Sequence, residues 1–367
     1  MKHYMPVRVF TGDGAVEKNA GLFASFGTRC ALVTGRASAV KSGALADVSG
    51  ALERSGIAFC VYDGVEQNPS VASCMAAGRA AHAFGAAFIV GIGGGSALDA
   101  AKAAAVFAAD PDLDEDGFYR KDWSGAPLPI LLVGTTAGTG SEVTKVSVLT
   151  DSRGRKHSIH DDRLFAAAAF GDPKYTAALS QPITLSTGID VLSHCAESYF
   201  NRNADEISRA FAVRGIRLLY APLLAAAEGR PLGPEQREAL YEASILGGLA
   251  ICGTGTCFPH NVGYYLTESR RVPHGFASAR FLPALLELVG KKAPSCAESF
   301  FRELGLSREE LERLIERSLP ENDIRMTEEE ILSVLPRWEN NNSVRNTCCE
   351  VGVADIREIL ERQFLKK

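Results

Sequence analysis

Three consecutive glycines, Gly93-Gly94-Gly95, place the strongest constraint on how this chain can fold. They follow the apolar run 88–92, which predicts a strand, and precede an alanine-rich stretch over 97–107 with helical spacing. A strand, a glycine turn and a helix bring backbone N–H groups up to a phosphate and add the positive end of the helix dipole. The segment predicts a phosphate-bearing cofactor. Taken alone, it also fits a plain turn between a core strand and a helix.

The first half of the chain alternates short apolar runs with helical patterns. Strands are predicted at 30–34, 59–62, 88–92 and 130–133, and helices at 44–55, 70–84 and 97–107. Uniformly apolar strands separated by helices are typical of a parallel sheet that is covered on both faces. We expect 110–125 to be a polar loop, and 143–170 to form an antiparallel excursion around a turn at 151–155.

The second half has almost only helical periodicity from residue 179 onward, for example over 207–227, 234–250, 293–304 and 307–318. A length of 367 residues favours two domains. We therefore expect an α/β class protein, with a parallel-sheet nucleotide-binding domain over 1–175 and an all-helical domain over 176–367.

Composition and charge restrict the partners and the location. A net charge of −5 argues against nucleic acid and against an anionic membrane as partners. No apolar run approaches the ~20 residues that span a bilayer, and the first residues lack the apolar core of a signal peptide. Nine scattered cysteines without a CxxC pair favour reduced thiols. We expect a cytoplasmic protein.

A second group of residues has the chemistry of a metal site. Asp190 and His194 are four positions apart, so on a helix they share one face. His260 and His274 follow later in the chain. One carboxylate and three imidazoles suit Fe²⁺ or Zn²⁺. The alternative is that these side chains are capping or surface residues.

With these motifs, the chain resembles the iron-containing (group III) alcohol dehydrogenase family over nearly its whole length. The matching segments are 93–102 (GGGSALDAAK), 135–144 (TTAGTGSEVT), 187–194 (TGIDVLSH), and His260 and His274 with their 14-residue separation. The dehydroquinate synthase and glycerol-1-phosphate dehydrogenase branches share the glycine loop but lack the second segment.

The resemblance implies a Rossmann-like domain, a helical metal domain, a cofactor cleft between them and a homodimer. It assigns the metal to Asp190, His194, His260 and His274. It assigns the nicotinamide cofactor to Gly94, Gly95, Ser96, Asp99, Thr135, Thr136, Thr139, Ser141, Val146 and Lys156. Lys102 either contacts the cofactor or stabilises the loop.

The chain departs from the family pattern at two places. Tyr264 stands where many members have a histidine that relays protons, and it either relays a proton or packs. Tyrosine there resembles members that act on small anionic aldehydes such as phosphonoacetaldehyde. Arg270 and Arg271 either serve that charge or are solvated.

The second departure follows the first predicted strand. Gly35-Arg36 replaces the acidic residue that often holds the ribose 2′-hydroxyl, whereas Arg36, Ser38 and Lys41 can bind a 2′-phosphate. We therefore favour NADP(H) over NAD(H).

These residues predict a metal-dependent NAD(P)(H) oxidoreductase that interconverts a primary alcohol and an aldehyde, mainly by reducing a small aldehyde. The alternatives are a reductase of a small anionic aldehyde, a dehydroquinate-synthase-like lyase and a non-catalytic binding protein.

Overall fold

The computed structural model describes residues 4–321 and 323–365. Contacts divide the described chain into two compact units. The nucleotide unit contains residues 4–180 together with 233–248, and the helical unit contains residues 181–232 together with the chain from 249 onward. The division at residue 175 that we expected from the sequence stays a proposal.

Eight strands lie in the nucleotide unit. They are β1 (Arg8–Thr11), β2 (Arg29–Gly35), β3 (Ala58–Val65), β4 (Phe88–Gly93), β5 (Ile130–Gly134), β6 (Val146–Thr150), β7 (Lys156–His160) and β8 (Ala168–Gly171). Six of them form one sheet in the order β1-β8-β5-β4-β2-β3, and every neighbouring pair in it is parallel. The predicted parallel sheet is confirmed.

Helices cover both faces of this sheet. Val90 and Leu131, paired between β4 and β5, pack into one cluster with Val48 of the helix 44–54. On the opposite face, a Cβ at Gly91 would lie 2.5 Å from the Cβ of Ala101 in the helix that follows the glycine turn. Six helices lie between residues 15 and 120, namely α1 (Ala15–Lys18), α2 (Ser38–Lys41), α3 (Ala44–Arg54), α4 (Val71–Phe84), α5 (Gly95–Ala109) and α6 (Glu115–Arg120).

Two local predictions were confirmed only in part. The stretch 110–125 is not all loop, because Asp114 caps α6 by accepting a hydrogen bond from the Gly117 N–H, at 2.7 Å. The antiparallel excursion is the β6–β7 hairpin alone. β8 returns to the parallel sheet between β1 and β5, where its four residues are all buried.

Eleven helices follow along the described chain. They are α7 (Gln181–Tyr199), α8 (Glu206–Ala227), α9 (Pro234–Thr254), α10 (Phe258–Arg270), α11 (His274–Ala279), α12 (Leu282–Lys292), α13 (Pro294–Leu304), α14 (Arg308–Ser318), α15 (Glu328–Val334), α16 (Asn342–Arg345) and α17 (Val353–Phe364). Short 3₁₀ helices lie at Ala20–Phe26, Ser141–Val143, Asp162–Leu164, Pro173–Thr176 and Leu335–Trp338. The mostly helical second half is confirmed.

α8 is the one described helix that is long and apolar enough to cross a membrane by length and composition. Half of its most apolar 18-residue stretch is buried, and the helix packs against α7, α13 and α14. The central helix of a folded domain has the same composition, so the apolar character of α8 follows from its packing.

Candidate metal centre and nucleotide loops

Helix α7 brings three ionisable side chains to one buried face. Asp190, His194 and Glu197 are at positions i, i+4 and i+7, which an α-helix places on one side. Every residue of α7 from 188 to 199 is buried. Three polar side chains in such a segment need partners from other elements, because an unpaired buried polar group is unfavourable.

Two short elements supply those partners. His260 is the third residue of α10, and His274 is the first residue of α11. Gly275 allows the second approach, because a Cβ at this position would lie 1.8 Å from the carbonyl oxygen of Ser186 in α7. The absence of a side chain at Gly275 therefore lets the start of α11 lie directly against α7.

Asp190 is at the centre of the resulting cluster. Its Oδ1 lies 3.4 Å from Nε2 of His260 and 3.9 Å from Nε2 of His274. The three ligand atoms are all within 4.8 Å of one another. The side chains of Asp190 and His260 are 5% and 3% exposed, whereas that of His274 is 28% exposed. The cluster is therefore buried on two sides and reachable on the third.

Two more rings pack on this cluster. His194 stacks on His260, with ring centroids 4.7 Å apart and an interplanar angle of 22°. Tyr264, one turn after His260, stacks on His274 at 5.4 Å and 20°. The structure thus brings together Asp190, His260 and His274 through their ligand atoms, and His194 and Tyr264 through their rings.

The charges of the cluster depend on one another. Burial by itself raises the pKa of Asp190, but the histidines that face it hold this pKa well below its ordinary value. Burial by itself lowers the pKa of His260, but Glu197 and Asp190 raise it to about 10. The site therefore favours a carboxylate with positive charge beside it.

These residues fit a divalent metal ion. Asp190 Oδ1 and His260 Nε2 are buried, and neither makes a well-aligned hydrogen bond within the described chain. Two ligands at about 2.1 Å from a shared ion are themselves roughly 3–4 Å apart, which matches the separations around Asp190. Oxygen and imidazole donors suit Fe²⁺ and Zn²⁺ alike.

Glu197 has contacts that the sequence reasoning missed. Its Oε1 lies 2.5 Å from Nδ1 of His260, and its side chain is completely buried. Its Oε2 accepts hydrogen bonds from the backbone N–H groups of Cys257 and His260. The i+7 spacing from Asp190 was the available signal, since it places Glu197 on the ligand face of α7.

The predicted nucleotide segments leave the sheet at its carboxyl edge, after β2, β4 and β5. α5 begins at Gly95, and its N-cap residue Gly94 provides no side-chain cap for the first N–H groups. A Cβ at Gly95 would lie 2.6 Å from Thr139, so only glycine permits this approach of the second segment. The Thr135 N–H donates to the Gly93 carbonyl at 2.9 Å. An uncapped helix start beside threonine hydroxyls fits a phosphate group.

Lys102 stabilises the second segment rather than facing solvent. Its buried Nζ lies 2.8 Å from the carbonyl oxygen of Ser141 and 2.7 Å from that of Val146. Asp99 accepts hydrogen bonds from the Ser141 hydroxyl at 2.6 Å and from the Val148 N–H at 3.0 Å. Asp99 and Ser141, two expected cofactor contacts, therefore bind each other here.

The remaining expected cofactor residues lie around these loops. Ser96 accepts a hydrogen bond from the N–H of Asn68, a neighbour that the sequence reasoning missed. The hydroxyl oxygen of Thr135 is buried and makes no hydrogen bond with any described residue. Thr136 and Thr139 are half-buried, Val146 and Lys156 are the first residues of β6 and β7, and Arg36 and Ser38 are exposed.

Comparison with known proteins identifies the family. Residues 6–173 match the iron-containing alcohol dehydrogenase family, and residues 184–321 match the C-terminal part of the Fe-containing alcohol dehydrogenase family. The chain belongs to the iron-containing alcohol dehydrogenases. The resemblance drawn from the sequence is confirmed, and this membership makes the protein an enzyme that oxidises or reduces alcohols and aldehydes with a metal and a nicotinamide cofactor.

Three relatives show which known proteins this iron-containing alcohol dehydrogenase is similar to. Alcohol dehydrogenase 4 of Saccharomyces cerevisiae (strain YJM789) is 31% identical over 77% of this chain and 74% of its own length. The solved iron-containing alcohol dehydrogenase of Thermotoga maritima is 34% identical, with a TM-score of 0.91 over 99% of both chains. The sulfoacetaldehyde reductase of Bifidobacterium kashiwanohense, solved with NAD⁺, is 27% identical, with a TM-score of 0.88 over 99% and 98%.

Proposed function

We propose that this enzyme reduces a small aldehyde to a primary alcohol with NADPH. The observation that carries the proposal is the Asp190 carboxylate, which faces two imidazole Nε2 atoms at 3.4 Å and 3.9 Å. A buried carboxylate with a purely structural role would be expected to accept well-aligned hydrogen bonds, and Asp190 Oδ1 accepts none within the described chain. A divalent cation shared with the two imidazoles fits this arrangement better.

Asp190, His194, His260 and His274 are the proposed ligands of Fe²⁺ or Zn²⁺. The ion supplies Lewis-acid polarisation of the substrate oxygen, and the nicotinamide supplies the hydride. The protein contributes ligand placement. The exposed part of His274 leaves one side of the cluster open, and the burial of Asp190 and His260 keeps bulk water from the other sides.

The proposed cofactor contacts divide by chemistry. The amides of Gly94 and Gly95 and the start of α5 suit the pyrophosphate, because they combine N–H donors with the helix dipole. The hydroxyls of Ser96, Thr135, Thr136 and Thr139, with Lys156, suit the riboses and the nicotinamide amide. Asp99 and Ser141 act on the cofactor by holding the second segment against α5.

The preference for NADPH rests on the residues that follow β2. Arg36 and Ser38 are exposed, and Ser38 begins α2. The Ser38 hydroxyl oxygen lies 3.7 Å from the position that a Cβ on Gly93 would take. Gly35 provides no carboxylate that would repel a 2′-phosphate, whereas Arg36 provides a cation for it.

Tyr264 is the proposed proton relay. Its ring stacks on that of His274, one of the proposed metal ligands, and this proximity supports the role. Protein tyrosines can donate a proton when they are held next to a reacting oxygen. The chemical role proposed for Tyr264 is to donate its phenolic proton to the substrate oxygen that becomes the alcohol hydroxyl, with water returning a proton to the phenolate.

An anionic aldehyde is the second candidate substrate. The similarity to a sulfoacetaldehyde reductase favours it, and so does Arg271, which is exposed three residues before His274. Arg270 is a weaker partner for such a substrate, because its guanidinium already pairs with Glu330.

The proposal also includes a cytoplasmic location, a homodimer, and no nucleic-acid or membrane partner.

The deciding experiment is a turnover screen of the iron-loaded enzyme under anaerobic conditions. Absorbance at 340 nm is followed with NADPH and with NADH, against short neutral aldehydes, sulfoacetaldehyde and phosphonoacetaldehyde. We expect a higher kcat/KM with NADPH. Gly35→Asp should reverse the preference, and Arg270→Gln serves as a charge-matched control for Arg271→Gln with the anionic substrates. Equal or better use of NADH by the parent enzyme would refute the NADPH assignment, and no turnover of any aldehyde would refute the reductase.

A further inference from the structure

The Glu197 carboxylate serves two different elements at once. One oxygen contacts the Nδ1 atom of His260 at 2.5 Å. The other accepts from the backbone N–H of Cys257 at 2.8 Å and from that of His260 at 3.3 Å. Cys257 is the N-cap residue of α10 and has no side-chain cap of its own.

This arrangement replaces a local helix cap with a distant one. In a capping box, two side chains of the same helix satisfy the N–H groups of the N-cap and N3 residues. In α10 these N–H groups belong to Cys257 and His260, and a single carboxylate from α7 accepts both. The negative charge also lies at the positive end of the α10 dipole. Glu197 therefore fixes where α10 begins.

The same carboxylate fixes the tautomer of His260. Because a carboxylate only accepts hydrogen bonds, its contact with Nδ1 requires a proton on that nitrogen. In neutral His260 the Nε2 atom, which lies 3.4 Å from Asp190, then carries the lone pair that a metal requires. The backbone and the ring of His260 are thus held by the two oxygens of one side chain.

We infer that Glu197 is a positioning residue that sets the metal affinity of this enzyme, because it orients His260 and holds its proton on Nδ1. The inference rests on the proposed metal site. A glutamine at this position cannot do both tasks. If its carbonyl oxygen accepts the two backbone N–H groups, its NH₂ group faces Nδ1 and forces the ring proton onto Nε2. If it is turned around, the NH₂ group faces two N–H donors.

The test compares metal affinities of the full-length apo enzyme. Glu197→Gln, Glu197→Asp and the parent are titrated with Co²⁺ and with Zn²⁺ in competition with a chromophoric chelator, and the visible spectrum of the Co²⁺ form is recorded. The matched control is Glu303→Gln, which removes a carboxylate that accepts from Tyr199, at 2.8 Å, in the same unit.

We expect Glu197→Gln to bind both ions about 10–100-fold more weakly than the parent, with an altered Co²⁺ spectrum. Glu197→Asp, which keeps two accepting oxygens on a shorter side chain, should bind both ions more tightly than Glu197→Gln but more weakly than the parent, and Glu303→Gln should bind as the parent does. If Glu197→Gln lowers only the Tm of the apo protein and leaves affinity and spectrum unchanged, the residue is a cap alone and the inference is wrong. If the parent itself binds neither ion, the proposed metal site fails instead.

Should Glu197→Gln not fold, Glu197→Asp alone decides. A parent-like affinity in that variant refutes the inference, because one methylene group fewer withdraws the carboxylate from Nδ1. A reduced affinity with a parent-like Tm supports it.

Discussion

The Nζ atom of Lys102 lies 2.8 Å from both the carbonyl oxygen and the hydroxyl oxygen of Ser141. Lys102 is on α5, the helix that follows the glycine turn, and Ser141 is in the segment after β5. A buried ammonium group with several oxygen partners holds two chain segments in one geometry. The two nucleotide segments are therefore joined beneath the surface that their amides and hydroxyls present.

Replacing this lysine should loosen the second segment. We expect Lys102→Met to lower the free energy of unfolding by about 3–5 kcal/mol, because Asp99 and several carbonyl oxygens lose a buried cation. Chemical denaturation measures this change. Lys145→Met is the control, since Lys145 forms a partly exposed ion pair with Asp162 and should cost at most about 1 kcal/mol. Similar losses in the two variants would contradict the structural role of Lys102.

Glu142 should make stability depend on pH. This carboxyl group is buried and accepts a hydrogen bond from Tyr241 at 2.8 Å, and burial raises its pKa above the ordinary value of 4.5. The folded protein therefore keeps this proton at a pH where the unfolded chain has lost it. As pH rises above about 4.5, Glu142 lowers the free energy of unfolding, by up to about 1.4 kcal/mol per pH unit.

Denaturation of the parent and of Glu142→Gln between pH 4.5 and 8 measures this contribution. The difference between their unfolding free energies should shift in favour of the variant as pH increases. A difference that stays constant over this range would mean that the pKa of Glu142 is not raised in the folded protein.

Gly275→Ala should disturb the ligand cluster. The added Cβ would lie 1.8 Å from the Ser186 carbonyl oxygen and 2.9 Å from Cβ of Asp190, so α11 must move away from α7. We expect a loss of about 1–3 kcal/mol of stability and a weaker Zn²⁺ affinity. Gly290→Ala in α12 is the matched control, because its Cβ meets only a flexible arginine at 3.8 Å and should be neutral or stabilising. Parent-like Zn²⁺ binding by Gly275→Ala would show that the close approach is not needed.

Tyr264→Phe separates packing from proton transfer. Phenylalanine keeps the ring that stacks on His274 but removes the phenol. If Tyr264 relays a proton, kcat should fall about 100-fold or more while the metal affinity stays unchanged. Steady-state kinetics with the best aldehyde, at saturating cofactor, measure the first quantity and chelator competition measures the second. An unchanged kcat would leave Tyr264 with a packing role.

The parts of the fold that the sequence predicted well are those with strong local patterns. β4, the glycine turn and α5 combine an apolar run, turn residues and alanine-rich helical spacing, so three independent signals agree. β1 and β8 were missed because each has only four residues and is defined by its partners in the sheet. Asp190 and His194 were recognisable because their spacing shares a helix face.

The roles of Glu197 and Tyr241 were not predictable in this way. Glu197 acts on α10, which is more than 50 residues away in the chain, and no local pattern connects the two. Tyr241 belongs to a helix with an ordinary apolar pattern, yet its hydroxyl is the donor to Glu142 in the nucleotide unit. Such pairings arise from tertiary packing, and the hydrophobic periodicity of a single sequence does not reveal them.

The nucleotide unit is built from two separate stretches of the chain, and this has a consequence for its synthesis. This unit includes residues 233–248, which the ribosome makes only after residues 181–232 of the helical unit. Until Tyr241 is available, the carboxyl group of Glu142 lacks its hydrogen-bond donor. Domains usually fold in the order in which they are translated. Residues 233–248 of the earlier unit are made late, so a nascent chain halted before residue 233 lacks the Tyr241 hydroxyl that donates to the buried Glu142.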